Sequence, residues 1–286
     1  MYTPKIPLVL LFTACGAISA QAQTLVDYEL EITSPLDGGS GANVYFSNAT
    51  EALNAAGNMT STGTDTSVTI YRLAGVKTTD FFGNVDYAYN INSAYNAGSN
   101  YMSGSGSTDY LSSDNGTMSM LFQTSSDITT FQSLLSRGIY NTNGDNAFEI
   151  RVGNGRLQIA YGGTSLYNID TTISIDTWYY LGITWDVASN TMDIFYGAAG
   201  SGSLETSTIS IASAGNSSDL IYVGGRNGSG EFLGSLEEIA IWDRTLSDSS
   251  MEAQFAATVP EPATTAMSLG IGVCALTALL RRKSKH

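Results

Sequence analysis

The interior of the 286-residue chain offers carboxylates, amides, hydroxyls and aromatic rings for chemistry, but no imidazole and no thiol. The one histidine, His286, is the last residue, and Cys15 and Cys274 lie in apolar runs near the two ends. Catalysis by Ser/His/Asp or Cys/His sets is therefore excluded. Zinc or copper sites built on His or Cys and a disulfide framework are excluded for the same reason.

Tyrosines that lie among Asn, Asp, Ser and Gly are candidates for ligand contact. The apolar face of a sugar ring packs well against an aromatic face, and segments of this composition form adaptable binding loops. The candidate ligand-binding residues are Tyr87, Tyr89, Tyr95, Tyr101, Tyr140 and Tyr167. The alternative is that most of these rings fill the core or cover loops.

An oxygen-rich segment follows Tyr140 and is the best candidate for a calcium site. Asn141, Asn143, Asp145 and Asn146 bring amide and carboxylate oxygens close together in sequence. Calcium prefers oxygen ligands of this kind. Calcium is therefore a possible cofactor, and the alternative is that the acids of the chain serve solubility.

Two acidic groupings are candidates for the carboxylate pair that glycoside hydrolysis requires. Asp27, Glu29 and Glu31 alternate along a predicted strand, so they share one face. They lack flanking tryptophans and fit the solvent-exposed face of an edge strand. Glu237 and Glu238 are adjacent, so regular alternation predicts opposite faces for them, where they cannot act as a pair. The chain is therefore predicted not to be an enzyme.

The N-terminus predicts a secretory signal peptide over residues 1–22. Lys5 precedes the apolar run 8–12, and Ala20 and Ala22 form an A-x-A cleavage signal. The mature chain would begin near residue 23. A buried N-terminal helix and a lipoprotein signal ending at Cys15 are the alternatives.

The C-terminus predicts a membrane anchor in residues 259–286. The run 263–280 carries no charge, and eighteen apolar residues just span a bilayer, which predicts a transmembrane helix. The basic tail that follows would stay on the cytoplasmic side. The residues that flank the run are Val259, Pro260, Glu261, Pro262, Arg281 and Arg282.

This order of a Pro-Glu-Pro motif, a short apolar helix and an Arg-rich tail resembles a PEP-CTERM sorting signal. The resemblance implies a bacterial cell-envelope protein that an exosortase processes near Glu261 and Pro262. The ectodomain would then be released or anchored again. An ordinary C-terminal membrane anchor is the alternative.

The segment between the two signals is more acidic than the whole chain. Residues 23–258 keep seven of the 12 basic and 25 of the 26 acidic residues, a formal charge of −18 against −14 for the full chain. A body this acidic repels nucleic acid and anionic membranes. We therefore expect no nucleic-acid partner, membrane contact through the C-terminal helix alone, and extracellular polysaccharide as a possible partner.

Short alternating apolar runs separated by turn residues predict one all-β domain over residues 23–258. The clearest hairpin joins 148–152 to 157–161, because the Asn154-Gly155 pair between them tolerates positive φ. A second hairpin joins 178–186 to 191–196.

Further predicted strands and one helix complete the secondary structure. The apolar content of 238–242 predicts a strand buried on both faces. The only helix predicted within the domain covers 49–56. The other predicted strands cover 26–32, 67–73, 118–123 and 220–223, and 74–107 is predicted as loop with short strands.

Three motifs connect this strand order to a known family. They are the strand 178–186 that begins Trp-Tyr-Tyr-Leu-Gly, the closing segment 232–238 that reads Phe-Leu-Gly-Ser-Leu-Glu-Glu, and the Arg-Thr-Leu-Ser run 244–247. Together they resemble the laminin G-like domain of the concanavalin A-like lectin/glucanase superfamily, best matched over residues 105–256. The resemblance implies a two-sheet antiparallel jelly-roll sandwich.

The residues of these motifs carry expectations of their own beside the resemblance. Gly182 would let the opposing sheet approach, and Asp248, Met251 and Phe255 would cap the end of the barrel in a short terminal turn. Some family members bind calcium near acids of the closing segment. Glu237 stands where the family usually has Asp, so it joins the calcium candidates.

Together these observations predict an exported cell-envelope protein whose non-catalytic jelly-roll domain serves glycan binding, adhesion or matrix structure. Two alternatives stay open. One is a glycoside hydrolase or lyase of the same fold, although the Glu-x-Asp-x-Glu run of the laminarinase-like branch is missing. The other is a purely structural surface protein that binds no sugar.

Overall fold

The computed structural model describes residues 42, 44–46, 59–71, 76–83, 85, 88–91, 101–103, 110–112, 114–125, 128–137, 148–161, 166–211, 221–226 and 230–258. The strands within these ranges form two antiparallel eight-stranded sheets. The predicted all-β, two-sheet antiparallel class is therefore confirmed.

The strands are numbered in chain order. They are β1 (Val44–Phe46), β2 (Met59–Thr60), β3 (Thr69–Tyr71), β4 (Val76–Thr78), β5 (Ala88–Ile91), β6 (Tyr101–Ser103), β7 (Asn115–Thr124), β8 (Gln132–Arg137), β9 (Phe148–Gly153), β10 (Arg156–Tyr161), β11 (Leu166–Asn168), β12 (Trp178–Asp186), β13 (Thr191–Ala198), β14 (Glu205–Ser210), β15 (Ile221–Val223) and β16 (Gly234–Trp242). A 3₁₀ turn covers Tyr110–Ser112, and helix α1 covers Asp248–Ala256.

The two sheets have different strand orders. Sheet A runs β14-β13-β12-β7-β16-β5-β4, and β1 also pairs with β16. Sheet B runs β11-β10-β9-β8-β15-β6-β3-β2. The long strands β7, β12 and β16 lie side by side in the middle of sheet A, so they carry most of its pairing.

The inner faces of the sheets meet in one apolar core. Alternate residues of β12, among them Leu181, Ile183 and Trp185, face alternate residues of β9 such as Phe148 and Ile150. The ring centroids of Phe148 and Trp185 are 5.9 Å apart, which joins the two sheets directly. Burying one large apolar side chain stabilises a fold by about 1.5–3 kcal/mol.

Both predicted hairpins are confirmed, with the predicted turns. Val152 pairs with Leu157, and the intervening Asn154 and Gly155 have φ values of 53° and 71°. This conformation is favourable for Asn-Gly and matches the right-handed twist of the strands. The second hairpin pairs Asp186 with Thr191.

The C-terminal region differs from its prediction. Residues 248–256 form a nine-residue α-helix rather than a short turn, and the Ser247 side chain caps it by accepting from the Ser250 N–H. The helix covers the outer face of sheet A, where Met251 and Phe255 pack on Leu121, Tyr180 and Phe195. The apolar pattern missed this helix because it contributes few core residues over nine positions.

Gly182 lies against helix α1 and not against the opposing sheet. The expectation that this glycine lets the opposing sheet approach is therefore wrong as well. Its neighbours Leu181 and Ile183 face the core, which places residue 182 on the outer face. A Cβ at residue 182 would meet the Met251 side chain of α1. The glycine therefore lets the helix lie close to β12.

Several predictions fall outside the described residues. These include the strand 26–32, the helix 49–56, the signal peptide 1–22 and the segment 259–286 with its membrane helix 263–280. Among the residues that the structure does describe, no helix has the length and apolar character needed to cross a bilayer.

The contact of Gly116 with Trp185 gives a test of the core. The two residues are directly opposite in β7 and β12, and a Cβ at residue 116 would overlap the indole ring. We expect Gly116→Ala to cost about 1–3 kcal/mol through overpacking. The thermal midpoint should fall by several degrees.

A double-mutant cycle separates overpacking from a general effect of alanine. Trp185→Phe makes room for the new methyl group, so the double variant should be less destabilised than the sum of the single changes. Strictly additive losses in urea unfolding would show that the indole ring is not the obstacle.

Candidate functional site

The outer face of sheet B is polar where the strands β8, β9, β10 and β11 lie side by side. Phe148, Ile150 and Val152 of β9 are in the core, so Glu149 and Arg151 between them must lie on the outer face. The same alternation places outward residues on the neighbouring strands. We call this array the polar face; it consists of Ser133, Ser136, Glu149, Arg151, Gln158, Asn168 and Arg226.

Hydrogen bonds fix three of these side chains in one row. Arg151 Nε donates to Gln158 Oε1 over 2.9 Å, and Gln158 Nε2 donates to Asn168 Oδ1 over 2.7 Å. The three residues are directly opposite one another on β9, β10 and β11. Their planar groups are therefore held in fixed positions relative to one another.

An aromatic ring at the start of β8 holds the two arginines of the polar face. The guanidinium carbons of Arg151 and Arg226 lie 5.1 and 4.4 Å from the centroid of Phe131. Gly230 permits this arrangement, because it has a φ of +68° and an added Cβ would come within 2.8 Å of the ring. Cation–π contacts of this kind are worth about 0.5–2 kcal/mol each.

Glu149 differs from its neighbours in its hydrogen bonding. The side chain is 0% exposed, and Arg226 Nη1 lies 3.6 Å from its Oε2. Neither carboxylate oxygen accepts a hydrogen bond within the part of the chain that the structure describes, and the same is true of Ser133 Oγ. A buried polar atom without a partner costs about 1–3 kcal/mol, so its presence calls for an explanation.

Tyrosines occupy a line of paired backbone positions toward the other edge of sheet B. Tyr222 of β15 is directly opposite Ser136 on one side and Tyr101 on the other, and Tyr101 is opposite Tyr71 of β3. Neighbouring strands are about 4.8 Å apart, so these paired positions on β15, β6 and β3 span about 10 Å. The row then continues through Ser136 to Glu149.

The six predicted tyrosines have different positions. Tyr101 lies on β6, where its backbone pairs with that of Tyr222 on β15. Tyr167 lies on β11 and donates from its hydroxyl to the Ser210 carbonyl of β14, over 2.8 Å, so it links the two sheets. Tyr87, Tyr95 and Tyr140 lie outside the described residues.

The prediction that Tyr89 contacts a ligand is wrong. This side chain is 0% exposed and belongs to the apolar core between the sheets. Burial raises the pKa of its hydroxyl, and the charges of Glu238 and Glu237 add to the rise. A ring enclosed in this way cannot stack on a sugar.

The two adjacent glutamates do not point to opposite faces, because β16 contains a β-bulge. Glu237 is opposite Leu121 and Ala240 is opposite Ser119, so β16 has one residue more than β7 between these pairs. Glu238 takes the irregular position with a φ of 53°. Bulges turn a side chain away from its regular direction.

Both carboxylates therefore reach the outer side of sheet A. The Tyr45 hydroxyl donates to Glu238 Oε2, and Tyr45 packs on Trp242 in an outer cluster. Glu237 Oε1 accepts from the Phe81 N–H over 3.2 Å. Phe81 packs against the same outer cluster as α1.

Glu237, the calcium candidate of the closing segment, lies within the described residues. It is 2% exposed, and the described residues contain no group of three or more His, Cys, Asp or Glu that could hold a metal ion. The other predicted calcium ligands, Asn141, Asn143, Asp145 and Asn146, lie outside the described residues and stay a prediction. The same holds for the acids Asp27, Glu29 and Glu31.

The polar face was not predicted from the sequence, although a signal for it exists there. Glu149, Arg151 and Gln158 alternate with core residues inside the hairpin whose register was predicted from Asn154-Gly155. Charged side chains that alternate with apolar ones in a central hairpin indicate a polar outer face on that sheet. Their meeting with Arg226 depends on β15, which no local pattern connects to β9.

Two packed antiparallel sheets, with a helix on one outer face and a polar array on the other, define a concanavalin A-like β-sandwich. Residues 96–251 match the Laminin_G_3 family model of the concanavalin A-like lectin/glucanases superfamily, and the chain belongs to this family. The predicted resemblance to this superfamily is thereby confirmed. No curated protein sequence matches the chain.

Solved structures with the same fold are distant in sequence. The CBM40 domain of Ruminococcus gnavus IT-sialidase, bound to α2,3-sialyllactose, is 21% identical with a TM-score of 0.46, covering 60% of this chain and 96% of that chain. Trypanosoma rangeli sialidase in complex with the inhibitor DANA is 11% identical with a TM-score of 0.50, covering 74% and 32%. These similarities concern the fold alone.

The buried Glu237 gives a pH-dependent stability. Burial raises its pKa to about 8, the charge of Asp80 adds to the rise, and the Phe81 N–H opposes it. The unfolded chain keeps the ordinary value of 4.5, so the folded state holds more protons between these limits. The free energy of unfolding therefore falls as the pH rises from about 4.5 to 8, by up to ~1.4 kcal/mol per pH unit.

Urea unfolding at pH 5, 6, 7 and 8 measures this slope. Glu237→Gln should flatten it, because the amide does not titrate. Glu252→Gln, which removes an exposed acid of α1, should leave it unchanged. An equal slope in wild type and Glu237→Gln would contradict the prediction.

Proposed function

We propose that this protein is an exported, non-catalytic carbohydrate-binding domain of a bacterial cell envelope, and that its binding surface is the polar face of sheet B. The observation that carries the proposal is the row of Arg151, Gln158 and Asn168, which mutual hydrogen bonds fix on the outer face of sheet B. Such binding would let the domain act in adhesion or attach it to an extracellular polysaccharide matrix.

The chemistry of the polar face suits sugars. Planar amide, guanidinium and carboxylate groups form paired hydrogen bonds with hydroxyl groups. Tyrosines combine an apolar ring with a polar tip. Because the side chains of the row are already ordered, binding loses little conformational entropy at the protein.

The acids of sheet B support binding rather than hydrolysis. Glycoside hydrolysis usually needs two carboxyl groups on either side of the scissile bond. Among the described strand residues of sheet B, Glu149 is the one carboxylate. A single buried acid that faces an arginine lacks the second acid of that mechanism.

Export belongs to the same proposal. The signal peptide 1–22 would direct the chain across the inner membrane, and the PEP-CTERM segment 259–286 would present it to an exosortase. The domain would then be held at the envelope by the helix 263–280 or released. The formal charge of −18 suits a soluble extracellular body and argues against a nucleic-acid partner.

A binding assay with a matched pair of variants tests the proposed surface. On a glycan array, wild type should retain at least one oligosaccharide, and Gln158→Ala should weaken its binding about tenfold or more. The reason is that Arg151 and Asn168 lose their common partner, and a hydrogen bond to a charged group is worth about 1.5–3 kcal/mol.

Gln123→Ala is the control, since Gln123 lies on sheet A and bonds to the Asp176 carbonyl. Its affinity should equal that of wild type. If wild type retains no glycan, with or without calcium, the protein is a structural surface protein. If a glycan is cleaved during the assay, the non-catalytic part of the proposal fails.

The mass of the mature protein tests the sorting step. Expressed as the full chain in a bacterium that contains an exosortase, the protein should lose Arg281 and the residues after it. Glu261→Ala should retain them, because the Pro-Glu-Pro motif is changed. An intact basic tail on wild type after export would overturn exosortase processing.

A further inference from the structure

A small cavity lies under helix α1, on the outer side of sheet A. Its polar lining consists of Ser119 of β7, Tyr180 of β12, Glu238 of β16, Gln254 of α1 and Thr258 just after the helix. The volume of the cavity is about 10 Å³. A single buried water molecule needs about 10–15 Å³, so the cavity matches the size of one water molecule.

Two polar atoms of this lining have no hydrogen-bond partner among the described residues. They are Ser119 Oγ and Gln254 Nε2, and the two residues are 0% and 1% exposed. The hydroxyl groups of Tyr180 and Thr258 are satisfied, because they donate to Gln254 Oε1 over 3.0 Å and to the Phe255 carbonyl over 2.7 Å. A buried polar atom without a partner is costly. Two such atoms in the lining of one cavity therefore indicate a common partner inside it.

The chemistry of the lining indicates what that partner is. An amide N–H group can only donate, a hydroxyl group can donate or accept, and a carboxylate accepts. Glu238 accepts from the Tyr45 hydroxyl, and a carboxylate has capacity for about four hydrogen bonds. The partner must therefore accept from Gln254 and donate to an oxygen. Water does both, whereas a metal cation offers no acceptor to the amide.

The orientation of the Gln254 amide does not alter this conclusion. If the amide is turned over, Nε2 donates to the Tyr180 hydroxyl and the amide oxygen takes the place beside the cavity. That oxygen then needs a donor, which water also supplies. In either orientation one atom of the amide lacks a partner within the protein.

Gln254 lies within an otherwise apolar contact between α1 and sheet A. Met251 and Phe255 of the helix pack on Leu121 and Phe195. Apolar contacts have no preferred direction, so they do not by themselves fix where the helix lies along the strands. Hydrogen bonds have a preferred geometry, and a bridge through Gln254 would fix that position.

We infer that one ordered water molecule occupies this cavity and bridges Gln254 of α1 to Ser119 of β7 and Glu238 of β16. About three hydrogen bonds are typical of a buried water molecule. The bridge connects the terminal helix to two central strands of sheet A. The site is on the opposite sheet from the polar face, so it is independent of the proposed sugar binding.

A high-resolution crystal structure of the wild-type protein tests the site directly. It should show one electron-density peak about 3 Å from Ser119 Oγ, the Gln254 amide and the Glu238 carboxylate. An empty cavity, or a peak that contacts only one of these groups, overturns the inference. Thermal melting in NaCl, KCl and choline chloride at equal ionic strength should give equal midpoints. A midpoint that is higher in one alkali salt indicates a bound cation and overturns the inference as well.

Ser119→Ala distinguishes a hydrated cavity from a dry one by the sign of its effect. If water is bound, the variant removes one of its hydrogen bonds, and the thermal midpoint should fall by about 2–4 °C. If the cavity is dry, the variant removes an unsatisfied hydroxyl group from the interior, and the midpoint should rise.

Ser210→Ala is the matched control, because Ser210 is exposed on the edge strand β14. Its midpoint should stay close to that of wild type. A midpoint of Ser119→Ala that rises or equals that of wild type overturns the inference. The crystal structure needs no variant, so the test holds even if Ser119→Ala does not fold.

Discussion

The two-residue alternation of the antiparallel strand is the constraint on which the rest of this structure depends. The contact between Phe148 of sheet B and Trp185 of sheet A decides which side of each strand faces inward. Because Ile150 and Val152 point into the core, Glu149 and Arg151 must lie on the opposite, outer face of sheet B, where both are buried. The polar face is thus a consequence of core packing as much as of its own hydrogen bonds.

The two outer faces of the sandwich differ in polarity. Sheet A presents apolar residues such as Leu121 and Phe195 on its outside, and α1 covers them with Met251 and Phe255. Sheet B presents charged and amide groups that satisfy each other in part. An apolar outer face needs a cover in order to be stable, whereas a polar one can serve a ligand. This difference in polarity explains why α1 packs on sheet A and not on the polar face of sheet B.

Local patterns in the sequence were sufficient for the hairpins and insufficient for anything that needs register between distant strands. Asn154-Gly155 specifies its turn within a few residues, so the pairing of Val152 with Leu157 was predictable. The bulge at Glu238 could not be read in this way, because regular alternation assumes one residue on each strand. Tyr89 looked like a loop residue among polar neighbours, but its place opposite Leu236 of β16 puts it in the core. Arg226 and Glu149 are far apart in sequence, so local patterns could not predict the contact between them either.

The bulge in β16 divides the pairing of this strand between two segments that are distant in sequence, and this bears on the order in which the strands fold. On one edge of β16, residues 234–236 pair with β5 and residues 239–241 pair with β1, and the irregular Glu238 lies between the two segments. Val44 thus pairs with Ile241, which is almost at the other end of the domain in sequence. Pairings between such distant segments carry a large loop-closure cost and slow the folding of β-sandwiches. Among the described strands, β1 and β16 therefore join only once the chain has been synthesised past Trp242, so the earliest of these strands is one of the last to be paired.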